Sequence, residues 1–143
     1  EKNICALENI KIYNFPISSR DIPDKSKLIG FKKLLDQVEY PCLMHCKSGA
    51  DRAGLAAALY LIYKKNYSLE EASRELNFKH LHIKYTKTGI LDHFFSELIK
   101  KGVNQKSDFL KWLNNNYDKE SLKNNFKNNT LLDALINFFL RRE

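Results

Sequence analysis

The stretch His45-Cys46-Lys47-Ser48-Gly49-Ala50-Asp51-Arg52-Ala53-Gly54 sets a thiol and a guanidinium six residues apart across a loop of mostly small residues. Its flanks constrain how that loop is carried. Pro41-Cys42-Leu43-Met44 is a short apolar run of the kind that forms a buried strand, and Ala53 to Tyr63 is apolar nearly all round, as a buried helix is. A strand, a turn and a helix are therefore predicted in succession. In that geometry the backbone N–H groups of Lys47 to Arg52 turn toward one point, with the positive end of the helix dipole beneath it. The natural guest is an oxyanion. A thiol is a poor nucleophile at neutral pH until amides, a helix N-terminus and a guanidinium favour its thiolate, and this loop supplies all three to Cys46. Arg52 offers the bidentate fork that suits a planar, transferring phosphoryl group.

The loop resembles the C-x5-R signature of the protein-tyrosine-phosphatase superfamily, and the His before the Cys and the Gly after the Arg also match. The resemblance implies that Cys46 attacks phosphorus as a thiolate. Arg52 and the amides of Lys47, Ser48, Gly49, Ala50 and Asp51 would then bind the phosphoryl oxygens, and water would hydrolyse a cysteinyl-phosphate. His45 would support the loop through hydrogen bonds. No metal or cofactor is implied, and His80, His82 and His93 share no metal-ligand spacing with a cysteine pair, so they read as structural or surface residues. The implied fold is α/β: a central sheet carrying the strand, loop and helix, flanked by helices, with a helical C-terminal part. The C-terminal end also looks like that of an alphaproteobacterial group of phosphatase-like proteins. Two positions depart from the superfamily pattern. Ala53 stands where a Ser or Thr usually stabilises the departing thiolate, and no Trp-Pro-Asp loop is present, since Trp112 lies far downstream.

A general acid must then be sought by reach and chemistry. Asp51, inside the loop, fits the C-x-x-G-x-D-R spacing of some bacterial members that resemble this chain and use that aspartate as the acid. Asp21 follows a strand-like run, Ile10 to Phe15, at the distance before the Cys where compact dual-specificity phosphatases place theirs. Asp51 ranks first. Asp24 directly precedes a helical pattern with Leu28, Phe31, Leu35 and Val38 on one face, and so reads as an N-cap.

The 143 residues, 43% of them hydrophobic, suit one globular unit with a real core. Residues 1–104 are expected to hold the phosphatase-like domain without its first strands, and 105–143 to form a helical extension packed on it. Glu1 to Cys5 reads as a helix end entering the strand at Ile10, which suggests a missing N-terminal segment. Lys and Arg number 24 against 17 Asp and Glu, a net charge of +7 that biases encounters toward anions. The basic residues are scattered and no nucleic-acid motif accompanies them, so nucleic acid is not an expected partner. No run of about 20 apolar residues is present to cross a membrane. Three cysteines do not make a disulfide framework. Cys42 and Cys46 on one predicted strand would stand about 13 Å apart, too far to bridge, and Cys42 is expected in the core. A reducing, cytoplasmic setting suits such a chain.

Further helices are predicted from Ser68, whose capping box is completed by Glu71, and around Leu91, Phe94, Phe95 and Leu98, ended by Gly102. Others are predicted around Phe109, Trp112 and Leu113, and from Thr130 through Phe139. The leading functional expectation is a cysteine-dependent phosphatase acting on phosphotyrosine or dual-specificity phosphoprotein substrates. A phosphatase for a phosphorylated lipid, sugar or inositol is the alternative, favoured by Lys47 beside the nucleophile. A non-catalytic phosphate-binding module is the third reading; Ala53 favours it, and the presence of both Cys46 and Arg52 argues against it.

Overall fold

The computed structural model describes residues 1–124 and 126. Seven helices occur among them: α1 (Lys2–Leu7), α2 (Lys25–Gln37), α3 (Asp51–Lys65), α4 (Leu69–Ser73), α5 (Ile90–Lys100), α6 (Lys106–Asn115) and α7 (Lys119–Lys123). Two short 3-10 turns, Phe78–His80 and Lys87–Gly89, lie between α4 and α5. The helix predicted from Thr130 falls outside the described residues.

The expected α/β architecture is not what the described residues adopt: they are helical, and no strand or sheet occurs among them. Ile10 to Phe15 and Pro41 to Met44 run without regular structure. An apolar extended run becomes a strand only when a neighbouring chain segment takes up its N–H and C=O groups, and among the described residues neither run is paired in this way. The expected burial fails with the pairing. Ile10 is 58% exposed and Leu43 87%, and Cys42, placed in the core by its sequence, is exposed.

The helices follow from their apolar spacing. α3 is the central element, with Leu55, Ala58, Leu59 and Ile62 fully buried, and it packs against α2 and α4. Gly54 lets α3 approach the chain beyond α4, since a Cβ there would lie 3.2 Å from the Glu75 carbonyl oxygen. On α2 the predicted face holds, with Leu28, Phe31 and Leu35 buried. α4 begins at the predicted capping box: the Ser68 hydroxyl accepts from the Glu71 N–H, and the Glu71 carboxylate accepts from the Ser68 N–H. α5 buries Leu91, Phe94, Phe95 and Leu98 and ends before Gly102, whose φ of 75° is the left-handed turn that glycine tolerates. Phe109, Trp112 and Leu113 of α6 and Leu122 of α7 join the same core. There Phe94 meets Phe109 and Trp112 edge-on, at 6.4 Å between ring centroids in each case. Trp112 is thus a core side chain.

Candidate active site

The candidate loop runs into α3, and its geometry follows from how that helix begins. Ala50, the N-cap residue, is fully buried and has no side chain that can cap. The Cys46 sulfur takes that role. The N–H of Ala53, the third residue of α3, donates to it, as do the N–H groups of Ser48 and Gly49. An amide in the first turn has no partner inside its own helix, so a thiolate placed there satisfies it and gains from the helix dipole. Gly49 has φ of 70°, the left-handed conformation that carries the chain round the sulfur, and the space beside it is open, so φ rather than crowding calls for glycine. Burial is the largest influence on the half-buried Cys46 thiol and opposes its ionisation. The three amides and the charge of Arg52 act the other way and together hold its pKa below the ordinary thiol value.

Arg52, the second residue of α3, is half-buried, while Lys47 and Ser48 are exposed at the lip. His45 is exposed, and its Nε2 lies 2.7 Å from Oε1 of Glu1. Its hydrogen bond thus runs to the start of the chain.

The two candidate acids stand in different surroundings. Asp21 is half-buried and is gripped by two lysines: Oδ2 lies 2.7 Å from Lys119 Nζ and Oδ1 2.8 Å from Lys123 Nζ. Its Oδ1 also accepts the Ile22 N–H at 2.9 Å. Burial works to raise its pKa, but the two ammonium groups prevail and hold it below the usual carboxylate range. Asp24 sits at the predicted N-cap position of α2, but its side chain makes no cap hydrogen bond and meets Lys119 at 2.7 Å instead. Tyr117 Oη donates to the Pro23 carbonyl at 2.7 Å, so the Asp21 loop is tied to the segment that carries α7.

Asp51 is the first residue of α3 and is only 6% exposed. Its Oδ1 lies 2.7 Å from Nδ1 of His82, whose Nε2 lies 2.6 Å from Oδ2 of Asp92 on α5. The imidazole, 2% exposed, is therefore enclosed between two carboxylates. Burial disfavours its charged form, but the hydrogen bonds and charges of Asp51 and Asp92 outweigh burial and raise its pKa to about 9. Of the two readings its sequence context suggests, structural or surface, His82 is not at the surface. It is joined directly to the loop, and neither partner is near it in sequence.

A thiol held toward its thiolate by loop amides and a helix N-terminus, with an arginine beside it, is an arrangement that can receive an oxyanion and present a nucleophile to it. Residues 14–63 match the family model described as the tyrosine phosphatase family. It is 34% identical over 97 residues to an inositol diphosphatase of Arabidopsis thaliana, a match covering 54% of this chain and 48% of that protein. The chain thus spans about half the length of that curated relative. No solved structure matches it significantly. No helix among the described residues is long and apolar enough to cross a membrane.

Proposed function

We propose that this chain hydrolyses phosphomonoesters through a covalent cysteinyl-phosphate on Cys46, and that phosphotyrosine or dual-specificity phosphoprotein is its substrate class. The observation that carries this reading is the set of amides from Ser48, Gly49 and Ala53 converging on the Cys46 sulfur beside Arg52. The thiolate attacks phosphorus in line while Arg52 and the loop amides of residues 47–52 bind the phosphoryl oxygens, whose charge they match better in the transition state than in the free ester. Asp51 protonates the leaving oxygen and later takes the proton of the attacking water. Asp21 is the poorer acid, because the two lysines keep it ionised. A reducing, cytoplasmic compartment fits a mechanism that needs a free thiolate, and the three cysteines are free.

A second reading is supported by the relative named as an inositol diphosphatase. Lys47 directly after the nucleophile and the net charge of +7 suit a polyphosphorylated small molecule. Turnover of an aryl phosphate by the wild type and its loss in Cys46→Ser, with vanadate still bound, tests the shared chemistry. Full activity in Cys46→Ser refutes it. A panel of phosphopeptides against phosphorylated inositols and phosphoinositides then separates the two substrate classes, and higher kcat/KM on the inositol series overturns the first.

A further inference from the structure

We propose that His82 is a positioning residue that stores the catalytic proton, receiving it through Asp51 and handing it back by the same route, with Asp92 holding the imidazole in place. The proposal rests on the reading of Asp51 as the general acid and deepens it. The geometry that carries it is the chain Asp51 Oδ1, His82 Nδ1, His82 Nε2, Asp92 Oδ2, buried at the Asp51 end, with contacts of 2.7 and 2.6 Å. The charged groups facing the ring are Asp51 from α3 and Asp92 from α5. The His82 side chain is 1% exposed and that of Asp51 9%, whereas the Asp92 side chain is 31% exposed. The far end of the chain is therefore where it meets water.

In the resting enzyme the imidazolium donates Nδ1–H to Asp51 and Nε2–H to Asp92. As the Cys46 sulfur forms its bond to phosphorus and the ester P–O bond breaks, the Nδ1 proton crosses to Asp51, and Asp51 gives a proton to the departing oxygen. The imidazole is left neutral, still donating Nε2–H to Asp92, and Asp51 is again a carboxylate. In the second half-reaction water attacks phosphorus and the S–P bond breaks. Asp51 takes the proton of that water and returns one to Nδ1, which restores the imidazolium and the thiolate. A lone carboxyl loses its proton well below neutrality. The His82 proton, held to about pH 9, keeps the acid supplied across the neutral range.

The test is the pH profile of kcat/KM for phenyl phosphate, a poor leaving group, with a nitrophenyl ester for comparison. The wild type should keep its activity on phenyl phosphate up to a basic limb near pH 9. In His82→Gln that limb should fall by about two pH units, a loss of about tenfold at pH 8 that shrinks on lowering the pH. Asp92→Asn should move the limb in the same direction by less. A wild-type limb in the carboxylate range, or a His82→Gln profile lowered equally at all pH values, overturns the proposal. Should His82→Gln fail to fold, the wild-type limb and the NMR titration of His82 in Cys46→Ser still decide it, and a ring titrating near its ordinary value overturns it. If Asp51→Asn slows both esters equally while His82 still titrates near 9, the acid assignment itself has failed, and the proposal with it.

Discussion

Raising the pH from 6 to 9.5 should cost this protein stability through one buried group, His82, and the size of the loss follows from its surroundings. The folded-state pKa of His82 is about 9 against an ordinary 6.5, because two carboxylates hold its proton. A group whose pKa is raised on folding contributes stability that is fully present below the unfolded value and is lost as pH rises through the folded one. The window is therefore about 6.5 to 9, and 2.5 units at 1.36 kcal/mol each give at most about 3 kcal/mol. Cys46 works in the opposite direction over part of the same window. Its folded pKa is depressed, so ionisation of the thiol adds stability as pH rises. The measurement belongs in the Cys46→Ser background, by urea denaturation at pH 6, 7.5 and 9.5. Buried Tyr63 and half-buried Tyr117 have raised pKa values, Tyr117 to about 12, and stay neutral throughout. Unfolding free energy should drop by up to about 3 kcal/mol across the window and should be nearly flat in the same protein carrying His82→Gln. Parallel slopes in the two proteins would refute the charged clamp.

Three further outcomes are expected. Gly89→Ala should destabilise the fold by about 3 kcal/mol or more, since a Cβ there would lie 1.7 Å from the Lys84 carbonyl oxygen; a midpoint of urea denaturation near that of the wild type would contradict the close approach. Asp21→Asn should change stability by only about 1 kcal/mol or less, its ion pairs being partly exposed, and should slow good and poor leaving groups alike; selective slowing of phenyl phosphate would move the acid to Asp21. Ala53→Ser places a hydroxyl on the residue whose amide already meets the Cys46 sulfur, a charge-assisted donor worth roughly 1.5 to 3 kcal/mol, so hydrolysis of the cysteinyl-phosphate should speed up by about tenfold to a hundredfold. Rapid-quench kinetics should show a burst in the wild type that shrinks in the variant, and the absence of a burst in the wild type refutes slow hydrolysis.

The helices were legible because each declares itself locally. Leu91, Phe94, Phe95 and Leu98 lie on one face at helical spacing and are buried together, and the Ser68–Glu71 box is complete within four residues. The strands were misread because a strand does not declare itself locally. Ile10 to Phe15 and Pro41 to Met44 have the right composition, but pairing depends on a neighbour that periodicity cannot reveal, and among the described residues these runs remain unpaired. The same contrast runs through the site. Cys46, Gly49 and Arg52 belong to one short loop whose spacing carries its chemistry. His82 lies 31 residues from Asp51 and 10 from Asp92, and no spacing rule connects the three.

Two aspartates competed for one role in the sequence, and spacing alone separated them weakly. What distinguishes them physically is the kind of cation that each one faces. Lys119 and Lys123 hold Asp21 as a carboxylate, and the pKa of Lys119 is itself raised by Asp21 and Asp24, so that lysine has no proton to give near neutrality. Asp51 faces an imidazolium that releases its proton at about pH 9, within reach of the range in which an enzyme works. A carboxylate paired with an ammonium is an anchor, whereas one paired with an imidazolium shares a transferable proton. Two chemically identical side chains are in this way driven toward different tasks by their partners. That is the physical ground for placing the acid at Asp51 and for reading Asp21, with α7 gripping it, as the tie between its loop and the C-terminal helices.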